Sequence, residues 1–130
     1  MGDKSLYLGQ QVAQHVFDIS GYVAPATVYV GLTLSNGTEV SGGGYDRIAV
    51  ATGSDEWEWN SEEDRVENIN SITFAQATAG WGEITGALIA DSSAGSNLLY
   101  HSADALVTPR TINSDDQLVI EANGLRIQET

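Results

Sequence analysis

Between Asp55 and Glu67 the chain carries seven carboxylates (Asp55, Glu56, Glu58, Glu62, Glu63, Asp64 and Glu67), with Arg65 as the sole basic residue and Trp57 and Trp59 interleaved. So many oxygen ligands in one stretch could hold a divalent cation. The spacing is not that of a calcium loop, which sets its ligands at alternate positions around a glycine. A solvated hairpin or loop, with both indoles packed back on a sheet, explains the same residues. Elsewhere the ingredients of catalysis are sparse. His101-Ser102 and Asp104 are the residue types of a nucleophilic triad, but a triad is assembled in space, and adjacency in one strand argues against it. GxSxG, HExxH and a Walker lysine are all missing, and Lys4 is the only lysine. His15 and His101 read as buried or interface histidines. No catalytic residue, bound cofactor or resident metal is expected, and the chain is not expected to be an enzyme.

Three other motifs offer recognition rather than reaction. Ser41-Gly42-Gly43-Gly44-Tyr45 is glycine-rich but leads into a strand, whereas phosphate loops lead into a helix whose N-terminus binds the anion. It reads as a structural turn. Asn36-Gly37-Thr38 matches the N-glycosylation sequon, and Asn-Gly is equally a turn dipeptide. Trp57, Trp59, Trp81 or Tyr100 could stack on sugar rings, so a carbohydrate-binding module recognising host surface glycans, with Trp57 and Trp59 as the candidate contacts, is the alternative function.

Composition narrows the partners. Eighteen acids against five bases give a formal charge of −13 on 130 residues, which repels nucleic acid and anionic membranes. A hydrophobic content of 42% with three tryptophans marks an ordered domain rather than a disordered chain. Molar salt shortens the Debye length to about 3 Å and screens most of this self-repulsion; a halophilic source is the expectation. The absence of cysteine removes disulfides and thiol chemistry. No apolar run approaches the roughly 20 residues of a membrane span, so no membrane insertion is expected. Met1–Ser5 lacks a signal-peptide pattern, so synthesis in the host cytoplasm without export is expected.

One helix is predicted over about residues 5–19, capped by Ser5 and stopped at Ser20-Gly21. Leu6, Tyr7, Val12, His15, Val16 and Ile19 recur there at spacings of three and four. After Pro25 the period changes. Strands are predicted at Thr27–Leu34, Tyr45–Ala51, Val66–Asn68, Ser71–Phe74, Gly82–Ala90, Asn97–Ser102, Gln117–Ala122 and Leu125–Glu129, separated by Gly, Ser, Asn and Asp clusters. Short strands at this spacing, with no second helix, predict an antiparallel, jelly-roll-like β-sandwich over about residues 24–130, within a single domain spanning 1–130.

Three blocks carry a resemblance. Ala24–Leu32 with Glu39–Arg47 form the first; Ile72–Thr85, running on to Tyr100, the second; Thr108–Asn113 with Leu118–Ala122 the third. Together they resemble the small tailed-virus proteins known as phage tail fibre proteins. That resemblance implies a non-enzymatic structural protein of the virion, on the tail or as capsid decoration, and contributes no catalytic residues. The acidic stretch Asp55–Glu67 replaces a small-residue loop of the usual pattern; with the charge, it suggests the virus of a halophilic, archaeal host. The expected partners are further copies of the chain, a trimer being the first guess, and other virion proteins, with a host surface glycan in the alternative reading. Leu6, Val12 and Val16 form the candidate docking stripe, because the apolar face is wider than a solvated helix needs. The acids of Asp55–Glu67 are expected on the outer, solvent-facing side.

Overall fold

The computed structural model describes residues 3–94, 97–102 and 109–128. Their chain order is β1 (Asp3–Lys4), α1 (Leu6–Val16), β2 (Thr27–Leu34), β3 (Ile48–Ala51), β4 (Trp57–Asn60), β5 (Arg65–Asn68), β6 (Ile72–Thr73), β7 (Gly82–Ala90), β8 (Leu98–Ser102), β9 (Arg110–Ile112), β10 (Val119–Ile120) and β11 (Arg126–Gln128). The principal sheet runs β1-β8-β7-β2-β3, with β9 added on β7; β11-β5-β4 and β10-β6 form two smaller sheets. Every described pairing is antiparallel. The expected β-sandwich with one N-terminal helix is the fold found.

One apolar cluster joins the sheets. Val28, Val30, Leu32 and Ile89 of the principal sheet pack with Ile72, Phe74, Ile120, Leu125 and Ile127 of the opposing elements. The alternation Val28-Val30-Leu32 places these β-branched and leucine side chains on one face of β2, as a half-buried strand requires. In the second half of β2 the other face is buried as well. Gly31 permits this: a Cβ there would lie 2.7 Å from the Tyr45 hydroxyl and 2.8 Å from a Glu39 carboxylate oxygen.

Helix α1 begins as predicted. Ser5 is extended, its side-chain oxygen accepts from the Leu8 amide at 3.0 Å, and its own amide donates to the Leu99 carbonyl. The end differs. The helix stops at Val16 with Phe17 as C-cap, and Asp18 turns the chain in the left-handed conformation (φ 58°), before the predicted Ser20-Gly21 stop. The carbonyl of Gln14 then takes the amides of Ile19 and Ser20, satisfying the orphan acceptor of the last turn. His15 is exposed rather than buried, and its Nδ1 accepts from the Tyr22 amide.

Strand boundaries moved inward at several places. The predicted strand from Tyr45 begins at Ile48, because Tyr45 and Arg47 are used in packing and ion pairing. β1, β4 and β9 were not predicted. β1 and β9 lack an alternating apolar pattern and are held by their neighbours β8 and β7, whereas Trp57-Glu58-Trp59-Asn60 alternates and pairs as β4 with β5. The segment 55–67 is mainly the β4–β5 hairpin. Its turn is fixed by Asn60, whose Oδ1 accepts from the amides of Glu62 and Glu63 at 3.1 Å.

Candidate functional site

The glycine and tryptophan motifs converge on one structural knot. Gly42, Gly43 and Gly44 all have positive φ, a run that side-chain-bearing residues rarely adopt. The Gly43 carbonyl accepts from the Trp81 indole at 2.9 Å and from the Thr78 amide at 2.8 Å. A Cβ on Gly43 would meet the Trp81 ring at 3.0 Å. Tyr45 meets Trp81 edge-on at 5.5 Å and stacks on Phe74 at 6.4 Å. Its hydroxyl accepts from the Leu32 amide and donates to Glu39, which is also forked by Arg47 at 2.9 Å through both Nε and Nη2. Arg47 reaches on to the Ser92 carbonyl. Burial, helped by the Glu39 carboxylate, pushes the Tyr45 phenol well up. The glycine-rich segment is therefore a packing corner, as its sequence context implies.

A second polar knot lies on the acidic hairpin. Glu67 is 5% exposed, whereas Asp55, Glu58, Glu62, Glu63 and Asp64 are exposed. The expectation of an acidic outer side thus holds for those five and not for Glu67. Its carboxylate takes Arg65, Asn60 and Asn123, and Asn123 also binds Glu58. Asn123 thereby bridges two carboxylates that stand opposite each other on β4 and β5. Among the described residues, no three of His, Asp or Glu gather as a metal-binding group.

Glu39 and Glu67 give a pH prediction with a definite sign. The hydrogen bonds from Arg47 hold Glu39 below the usual carboxylate range, and those from Arg65 do the same for Glu67. A depressed folded-state pKa contributes stability that is present above the unfolded value of about 4.3 and is lost as pH falls through the folded one. Protonating the many exposed acids relieves repulsion and acts the other way, so the comparison must be with variants. Melting followed from about pH 7 to about pH 3 should show a shallower acid decline in Glu39→Gln and Glu67→Gln than in the parent chain. Equal slopes would show that neither carboxylate is linked to folding.

The residues singled out for recognition fall in three places. Leu6 and Val16 are 90% and 67% exposed and Val12 is 37% exposed. In α1 only Leu8 is buried, with Tyr7 half-buried on the core. Leu6, Val12 and Val16 therefore mark the outward face; the first turn anchors the helix to the core, and the hydrogen bond from the Tyr22 amide to His15 holds its end. Phe17 at 76%, Ile19 at 74% and Val23 at 85% extend that exposed apolar run. Trp57 packs against the core and donates its indole N–H to the Ala51 carbonyl, while Trp59 is 55% exposed. Asn36 is exposed in the turn before Glu39, and its Oδ1 accepts from the Thr38 amide. Asp104 lies outside the described residues. Sequence reasoning missed Leu8 as the anchor, Phe17 as an exposed ring and the Glu39–Arg47 pair. The pair could have been sought among the chain's five basic residues.

These side chains build corners, caps and cross-links in a β-sandwich, together with an uncovered apolar helix. The family described as Podophage GP4 fiber I protein gp80 matches residues 3–128, nearly the whole chain, and the protein belongs to this family. Membership makes it a phage fibre protein, a structural component of the virus particle. Among curated proteins none matches the chain. No helix among the described residues is long and apolar enough to cross a membrane.

Proposed function

We propose that this fibre protein works by assembling with copies of itself, most simply as a trimer, through the outward face of α1, on the tail or capsid surface of the particle. One observation carries the reading: Leu6 and Val16 are 90% and 67% exposed on a helix that contains no Asp, Glu, Lys or Arg. On a chain of charge −13, a neutral apolar face is where equal bodies can meet with least repulsion. Burying each such side chain stabilises an interface by about 1.5–3 kcal/mol. Replacing Leu6, Val12 and Val16 together by Ser should leave the circular dichroism spectrum unchanged and convert the oligomer to monomer in light scattering. An oligomer that survives the triple change would refute the helix seam. Absence of the chain from purified virions by mass spectrometry would refute the virion role.

Salt supplies an independent check. Changing Asp55, Glu62, Glu63 and Asp64 to their amides removes four exposed charges without touching Glu67. The oligomer should remain in molar salt and should persist to lower salt than the parent, because less charge must be screened. Loss of the oligomer in high salt would place the hairpin tip inside the interface.

A further inference from the structure

Two of the chain's asparagines, Asn36 and Asn123, precede glycine. Glycine leaves the preceding side chain most open to attack, because no Cβ shields its backbone nitrogen. The reaction needs only water. The glycine nitrogen attacks Cγ of the asparagine, an N–Cγ bond forms and the Cγ–Nδ2 bond breaks. Ammonia leaves with the proton that the glycine amide gives up. Water then opens the cyclic imide at either carbonyl, which yields aspartate or isoaspartate and one new negative charge. The fold treats the two sites differently.

Asn36 is exposed in the turn after β2. Its Oδ1 accepts from the Thr38 amide at 3.0 Å, so the oxygen that gains negative charge as Cγ is attacked already faces a donor. Among the described residues none accepts from its Nδ2, and the leaving group stands in water. Gly37 has φ 85°, and a Cβ there would meet nothing within 4 Å, which leaves room for the tetrahedral intermediate. Asn123 is half-buried and held by the opposite end of its amide. Its Nδ2 donates to Glu58 at 2.8 Å and to Glu67 at 2.9 Å. Two carboxylates beside Cγ oppose a further developing negative charge and tether the nitrogen that must leave. Gly124 is also crowded: a Cβ there would lie 2.9 Å from the Glu121 carbonyl oxygen and 3.3 Å from Cγ2 of Ile120. The attacking nitrogens themselves are alike, since Gly37 donates to the Leu34 carbonyl and Gly124 to the Glu121 carbonyl, each at 2.9 Å. We infer that Asn36 is a site of spontaneous deamidation and that Glu58 and Glu67 shield Asn123 from the same reaction. At Asn36 the change adds a carboxylate to an exposed turn. At Asn123 it would replace the donor that bridges Glu58 and Glu67 by a third carboxylate.

The test holds the full chain folded in molar salt at mildly alkaline pH and follows both sites by peptide mapping and mass spectrometry. Residue 36 should convert to aspartate and isoaspartate, with residue 123 slower by at least about tenfold, equivalent to about 1.4 kcal/mol between the two barriers. Equal rates, a faster rate at residue 123, or no conversion at residue 36 would overturn the inference. In urea the two sites should react at similar rates. A difference that persists there would show that neighbouring residues and not the fold set it, and would likewise overturn the inference. Glu58 is exposed, so Glu58→Ala should keep the parent circular dichroism spectrum. That variant should speed conversion at residue 123 and leave residue 36 unchanged; an unchanged rate at residue 123 would overturn the shielding.

Discussion

Trp81→Ala should destabilise the chain by about 3–5 kcal/mol, the usual cost of deleting a buried large aromatic, whereas Trp59→Ala should change stability by no more than about 0.5 kcal/mol. Trp81 is 6% exposed and Trp59 55% exposed. The difference is more than area. Removing the Trp81 indole frees the Gly43 carbonyl of one of its two donors and takes away the edge that holds Tyr45. A displaced Tyr45 then releases the Leu32 amide and one hydrogen bond to Glu39, so the loss spreads into β2. Urea unfolding of the two variants checks this. Comparable midpoints for Trp81→Ala and Trp59→Ala would mean that the three-glycine corner does not depend on the ring.

What the sequence made legible follows from how local each signal is. β2 and β7 match their predicted bounds, Thr27–Leu34 and Gly82–Ala90, because both are rich in β-branched and aliphatic residues and end at turn residues. Ser5 was legible as a cap because its oxygen serves an amide only three residues on. The helix stop was not, since Asp18 takes a left-handed conformation that its residue type tolerates but does not announce. β9 is three residues long and exists because Gly82, Glu83 and Ile84 of β7 offer it an edge; no local pattern encodes that. The apolar stripe of α1 was legible, and Leu6, Val12 and Val16 of it are exposed. Periodicity reports a face without saying what lies against it, and here Leu8, off the predicted stripe, is what touches the core. The acidic run hid a difference of kind: six of its acids read alike with Glu67, yet only Glu67 is buried, through partners as distant in sequence as Asn123.

Asn68→Ala should cost about 1–3 kcal/mol, although it removes no apolar packing. Asn68 is 1% exposed and sits at the end of β5. Its Nδ2 donates to the Asn70 carbonyl at 2.8 Å and the Glu121 carbonyl at 2.9 Å, and its Oδ1 accepts from the Leu125 amide at 2.9 Å. Alanine would leave the buried Leu125 amide without its acceptor, at a cost of about 1–3 kcal/mol, and would take one donor from the exposed Asn70 and Glu121 carbonyls, of which Glu121 keeps the Gly124 amide at 2.9 Å. Aspartate is no remedy, because it keeps the acceptor, loses both donors and buries a charge. The consequence is also local. Asn68 ties the chain leading into β11 to β5, and Ile127 and Val66 of those strands wall one side of an apolar cavity of about 160 Å³ between the two sheets. Amide hydrogen exchange in Asn68→Ala should therefore quicken in β5 and β11 well before β2 and β7, as expected of a small sheet that can open independently of the principal one. A uniform rise in exchange across both sheets would show that the sandwich opens as one unit. Asn68 would then be one bond among many rather than the fastener of the cavity wall.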